Sequence, residues 1–61
     1  MNEQEVVAFM VKSINDDNRT ICENNGMDPA DIDRQIEQSQ QALYFMASNL
    51  YTKMKEEKII A

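Results

Sequence analysis

Two stretches of the chain place apolar residues at the three- and four-residue steps of an amphipathic α-helix. In the first stretch, Val7, Met10, Ile14 and Ile21 step by three, four and seven. A polar residue, Asp17, stands where the same stripe would place an apolar side chain. The pattern therefore predicts a helix over about residues 3–24, with a polar middle.

The polar middle of this first helix allows a second interpretation. Residues 13–20 are poor in strong helix formers and include the run Asn15-Asp16-Asp17-Asn18. Such a run would suit a break near residues 15–18 that divides the segment into two short helices. Because neither Gly nor Pro occurs there, a continuous helix is the favoured prediction.

The second stretch carries a longer stripe with a spacing close to a heptad repeat. The pattern predicts a helix over about residues 29–58, with one small polar gap at Ser39. Strict alternation of apolar and polar residues is absent, so no strand is predicted. The stripe consists of Ile32, Ile36, Ser39, Leu43, Met46, Leu50 and Met54.

One cluster of turn residues separates the two stretches and holds the only Gly and the only Pro of the chain. Gly26 suits the left-handed position just past a helix end. Asp28 suits an N-cap, and Pro29 suits the first helical position. The sequence therefore predicts a turn at about residues 25–28. The predicted fold class is all-α: one small domain, residues 1–61, that forms a hairpin of two long antiparallel helices.

A chain of 61 residues is short for a stable monomer, because small domains bury a small fraction of their surface. One Cys and no His exclude an internal disulfide and an ordinary zinc site. We therefore expect a homodimer, in which two hairpins form a four-helix bundle. The residues predicted for the core or the oligomer interface belong to the apolar stripes of the two helices. They are Val7, Met10, Ile14, Ile36, Leu43, Met46, Leu50 and Met54.

The chain is acidic, with a net charge of −5 from eleven acidic and six basic residues. Residues 1–31 carry seven acids and two bases, so the excess lies in this half. This balance disfavours direct binding of nucleic acid, which requires a basic surface. The simplest interpretation is solvated surface charge. The alternative is a patch that docks a basic partner, and its residues would be Asp16, Asp17, Glu23, Asp28 and Asp31.

No pattern in the sequence indicates catalysis or a cofactor. Without His, neither a Ser-His-Asp nor a Cys-His arrangement is possible. Cys22 follows Ile21 on the apolar side of a helix and is expected to be a buried, unreactive thiol. The acidic residues do not follow the order of a calcium-binding loop, and a single Gly cannot form a phosphate-binding loop. We therefore expect no enzyme activity, no cofactor and no metal.

The N-terminus is acidic where a secretory signal is basic, and no apolar run is long enough to span a membrane. These features predict a cytoplasmic protein that does not contact membranes. In size, acidity and helical character the chain resembles small proteins that phages and other mobile elements encode to bind host regulators. The resemblance assigns no residues.

Taken together, these features predict a non-enzymatic interaction protein that binds and modulates another protein. A transcriptional repressor or another DNA-binding protein is the expected partner type, because such proteins carry basic surfaces. Two alternatives remain open. One is an inhibitor that mimics nucleic acid, and the other is a structural subunit that acts through its own oligomer.

Overall fold

The computed structural model of the protein describes residues 1–60, and these residues form two helices and no strand. Helix α1 spans Glu3–Asn24, and helix α2 spans Pro29–Glu56. The two helices pack against each other in antiparallel directions, giving a hairpin about 40 Å long and 19 Å by 17 Å across. The predicted all-α helical hairpin is confirmed.

Helix α1 begins with a capping box that the apolar pattern did not predict. The side chain of Asn2 accepts a hydrogen bond from the Glu5 backbone N–H at 2.8 Å. In return, the Glu5 carboxylate accepts one from the Asn2 N–H at 3.5 Å. These two bonds satisfy N–H groups that have no partner within the helix, and they fix its first turn.

Helix α1 continues without a break through residues 15–18. Contacts of its polar side chains support this segment. Lys12 pairs with Asp16 at 3.0 Å, one turn away on the same helix. Asn15 donates a hydrogen bond to the Oε1 atom of Gln40 on α2 at 3.0 Å. The polar middle thus belongs to the contact between the helices and does not form a hinge.

The turn between the helices is a Schellman motif followed directly by an N-cap. Gly26 adopts a positive φ of 78°, and its N–H donates to the carbonyl of Glu23 at 3.0 Å. The N–H of Met27 donates to the carbonyl of Cys22 at 3.0 Å. Asp28 then accepts a hydrogen bond from the N–H of Ala30 at 2.9 Å and caps α2. The predicted roles of Gly26 and Asp28 agree with this geometry.

Helix α2 ends at Glu56, slightly before the predicted end near residue 58. A second Schellman motif ends it, with Lys58 in the left-handed position at φ 59°. The N–H of Lys58 donates to the carbonyl of Lys55, and the N–H of Ile59 donates to that of Met54. The chain turns back after this motif, and Ile60 packs against the core. No Gly marked this helix end in the sequence.

The apolar core lies at the end of the hairpin where α1 begins and α2 ends, which we call the open end. Its buried residues are Val7, Val11, Leu43, Ala47 and Tyr51. Nearer the turn, the same interface becomes polar. There the Asn15–Gln40 hydrogen bond leaves the Oδ1 atom of Asn15 buried without a partner in the described residues.

This polar layer weakens the packing between the two halves of the interface. A buried polar atom without a hydrogen bond reduces stability, typically by about 1–3 kcal/mol. Beyond this layer, Ile32 is the one buried apolar residue within residues 16–40 of the described chain. The hairpin is therefore held mainly at its open end and by the turn itself.

The two Schellman motifs give a matched pair of stability predictions. Gly26→Ala should lower the free energy of unfolding by about 1–2 kcal/mol, because a Cβ disfavours the left-handed conformation. The effect should come from the backbone alone, since a Cβ built at Gly26 meets no atom within 4 Å. Lys58→Gly should raise the free energy of unfolding by up to about 1 kcal/mol.

Urea unfolding, followed by circular dichroism at one fixed protein concentration, checks both changes. The fixed concentration matters because association would itself add to stability. If the two substitutions shifted the midpoint in the same direction, the assignment of the left-handed positions would be wrong.

Candidate functional site

The buried stripe of α2 differs from the heptad spacing of the sequence. Leu43, Ala47 and Tyr51 are buried and step by four, whereas Met46 and Leu50 lie about half exposed. Successive steps of four drift about 40° each around a helix, whereas a heptad drifts only about 20° per seven residues, so the buried stripe diverges from the heptad stripe along α2. Ala47, Tyr51 and Val11 are core residues that lie outside the predicted stripes, although Val7 and Val11 show the same step of four.

The eight residues predicted for the core or the interface therefore fall into three groups. Val7 and Leu43 are buried within the hairpin. A second group is half buried and consists of Met10, Ile36 and Met54. The third group is exposed and consists of Ile14, Met46 and Leu50, with exposed fractions of 39%, 55% and 50%. For this third group, a place in an oligomer interface stays a prediction.

Some of the exposed apolar residues lie together on one side of the hairpin, whereas others, such as Phe9 and Phe45, are exposed elsewhere on the surface. A groove near the turn is lined by Ile21 of α1 and Ser39 of α2, so these two residues face the same side. Residues three, four or seven positions apart share one face of a helix. By this spacing, Ile14 and Met10 lie on the side of Ile21, and Met46 and Leu50 lie on the side of Ser39. We call Met10, Ile14, Ile21, Met46 and Leu50 the apolar face; four of them are exposed, and Met10 is half buried against the core of the hairpin.

The opposite side of the hairpin is polar near the turn. Arg19 is two residues from Ile21, which places it about 200° around α1. Its guanidinium donates a hydrogen bond to Asp33 of α2 at 2.6 Å. This bond raises the pKa of Arg19 above its ordinary value, with smaller contributions from the charges of Asp33, Glu23 and Asp16. The two sides of the hairpin thus differ in chemistry, one apolar and one charged.

The groove near the turn is an open depression of about 310 Å³ between the helices. Cys22 lies half buried in its wall, and its thiol donates to the Oε1 atom of Gln35 at 3.6 Å. An amide oxygen does not act as a general base, so this contact does not activate the thiol for nucleophilic attack. The groove is lined by Asn18, Ile21, Cys22, Gln35, Ile36 and Ser39.

The five residues of the predicted acidic patch all lie exposed at the turn end of the hairpin. Asp28 uses its carboxylate to cap α2, and Asp16 and Asp31 form ion pairs with Lys12 and Arg34. The remaining two, Asp17 and Glu23, form no ion pair within residues 1–60. Because Asp16 and Asp17 are about 100° apart on α1, the carboxylates surround the turn end and do not line one face.

Charge is distributed unequally along the length of the hairpin. Residues 16–34, which we call the turn end, contain six acidic and two basic side chains, a net charge of −4. The open end, residues 3–12 and 45–60, contains four of each and is neutral. Its cations include Lys53, Lys55 and Lys58 near the end of α2. The hairpin therefore carries its negative charge at the turn.

Two further findings concern the part of the chain that the structure describes. Neither helix contains an apolar stretch long enough to cross a bilayer. No group of three or more Cys, Asp or Glu side chains in residues 1–60 is arranged to hold a metal ion.

No protein-family model, curated protein or solved structure matches this chain. The two surface features, the apolar face and the acidic turn end, are therefore the basis for assigning a function.

Proposed function

We propose that this chain is a non-enzymatic protein-binding module of the cytoplasm that acts as a homodimer. Its acidic turn end docks on the basic surface of another protein and changes the activity of that protein. A DNA-binding regulator such as a transcriptional repressor is the partner type that fits this charge.

The observation that carries the proposal is the concentration of negative charge at one end of a 40 Å hairpin. The turn end has a net charge of −4, while the open end is neutral. Localised charge of this kind accelerates the approach of an oppositely charged surface and orients it. Asp17 and Glu23 are best placed to meet such a surface, because they are exposed and make no ion pair in residues 1–60.

The surface area of the chain supports the homodimer. A compact monomer of 7.1 kDa exposes about 4,100 Å² of surface. This chain exposes 4823 Å², about 700 Å² more than that value. A standard interface covers about 800 Å² on each partner. The excess reflects the elongated shape of a two-helix hairpin, which leaves one side of both helices uncovered, and the apolar face is the part of that surface that a second copy would cover.

A substitution on the apolar face tests the homodimer. Leu50→Asp should reduce the mass in solution to that of a single 7.1 kDa chain and lower the helicity, because a dimer would bury the introduced charge. Phe45→Asp is the matched control. Phe45 also lies on α2, is 69% exposed and points about 100° away from Met46 of the apolar face.

Sedimentation equilibrium distinguishes the two variants at equal concentration. The control should keep the mass of the unmodified chain, twice 7.1 kDa. Equal masses for Leu50→Asp and Phe45→Asp would contradict an interface at Leu50.

Charge reversal tests the acidic turn end as a docking surface. The variant Asp17→Lys/Glu23→Lys should reduce the capture of basic proteins from a lysate of the native host by about tenfold or more, because the attraction that speeds association becomes repulsion. These two positions leave the α2 cap and the three ion pairs of the structure intact. Asp17→Glu/Glu23→Asp is the control, because it substitutes the same two positions and keeps their charge.

Quantitative mass spectrometry of the captured proteins provides the readout. Equal capture by both variants would contradict the proposal. Adding duplex DNA separates modulation from mimicry of nucleic acid: a mimic is displaced by DNA, whereas a modulator that binds elsewhere stays bound.

A further inference from the structure

We propose that a second copy of this chain covers the apolar face in antiparallel orientation, so that its turn end lies over the open end of the first copy. This inference rests on the homodimer of the proposed function and adds its geometry. Two different observations support it: the extent of the apolar face along the hairpin and the unequal charge of its two ends.

The apolar face extends along most of the hairpin and includes both helices. Ile21 lies near the turn, Ile14 lies near the middle of α1, and Met10 and Leu50 lie towards the open end. A face with this extent can bind an identical face through a two-fold axis, which is the commonest symmetry of homodimers. A four-helix bundle results, with the apolar faces forming a second core layer.

Two orientations of the second copy are possible in such a bundle. A two-fold axis parallel to the helices brings the two turn ends together, so that two regions of net charge −4 become neighbours. A two-fold axis perpendicular to the helices places each turn end over the neutral open end of the other copy. Packed helices lie about 8–10 Å apart, which is close to one Debye length at physiological salt, so charges on adjacent helices repel each other but are partly screened. Repulsion therefore disfavours the first orientation.

The antiparallel orientation also brings opposite charges to the same level. It places α2 of one copy against α2 of the other in the reverse direction. Since α2 spans Pro29–Glu56, Lys53 of one copy then lies at about the level of Asp31 of the other. Along α2 the lysines of the open end would thus approach the acidic residues of the turn end, whereas along α1 Glu3 and Glu5 would lie at about the level of Glu23, so attraction and repulsion offset each other in this orientation.

This orientation has a consequence for the proposed docking surface. The two acidic ends lie at opposite ends of the bundle, about one hairpin length of 40 Å apart. A single dimer could then contact two basic surfaces of a symmetric partner at the same time. Binding at two sites strengthens the overall affinity even when the affinity of each site is unchanged.

The distance between the two turns tests the orientation. The substitution Asn25→Cys provides a thiol at the turn for a nitroxide spin label, and Cys22→Ser removes the native thiol. The distance between the two labels in a dimer then equals the distance between the turns. Double electron–electron resonance should give a distance near the 40 Å length of the hairpin. A parallel dimer would give a distance of about 20 Å or less, because the two turns would lie in adjacent helix layers.

A second variant tests the same geometry by cross-linking. The perpendicular axis places α1 against α1 of the other copy, and Ile14 lies near the midpoint of Glu3–Asn24. In a Cys22→Ser background, Ile14→Cys should therefore form a covalent dimer on mild oxidation. Phe9→Cys, which is one residue from Met10 and points away from the apolar face, should not.

Each outcome of these experiments decides between defined alternatives. A long distance between labels together with an Ile14→Cys cross-link supports the proposal. A short distance in a sample with dimer mass overturns the orientation and leaves the homodimer standing. A monomer mass with no dipolar signal overturns both, while binding of basic proteins by the turn end would still be tested separately by the charge-reversed variants.

Discussion

Two antiparallel helices can bury only the stripe that each turns towards the other, and this limit determines the rest of the structure. In this chain the buried cluster extends from the middle of the hairpin to the open end, while Ile32 is buried separately near the turn. The cluster consists of Val7, Val11, Leu43, Ala47 and Tyr51. The polar contact of Asn15 with Gln40 interrupts the interface nearer the turn. A second set of apolar side chains, the apolar face, remains exposed beside the first. This exposed set is the basis on which we propose that a second hairpin completes the core.

The sequence predicted the helices and the turn well because their signals are local. Gly26, Asp28 and Pro29 each occupy a position where few other residues fit, so they determine the turn without help from the rest of the chain. The end of α2 was less predictable, because Lys58 takes a left-handed conformation that normally indicates Gly. The capping role of Asn2 was overlooked, although Glu5 three residues later is a recognisable signal.

The division between core and surface could not be predicted from the sequence alone. Met46 and Leu50 fit the heptad stripe as well as Leu43 does, yet α2 buries Ala47 and Tyr51 in their place. The choice depends on how the two helices rotate against each other, which no local pattern encodes. The acidic patch was predicted as a set of residues, but its arrangement around the turn end follows from the fold. The same rotation places Ile14, Ile21, Met46 and Leu50 on a single side, while Phe9 and Phe45 are exposed elsewhere.

The most direct test of the account is the mass of the unmodified chain by sedimentation equilibrium over a range of concentrations. If the hairpin is half of a core, the mass should approach twice 7.1 kDa as the concentration rises, with dissociation at high dilution. A constant mass of 7.1 kDa, with full helicity at every concentration, would show that the hairpin is stable with its apolar face exposed and would contradict the account.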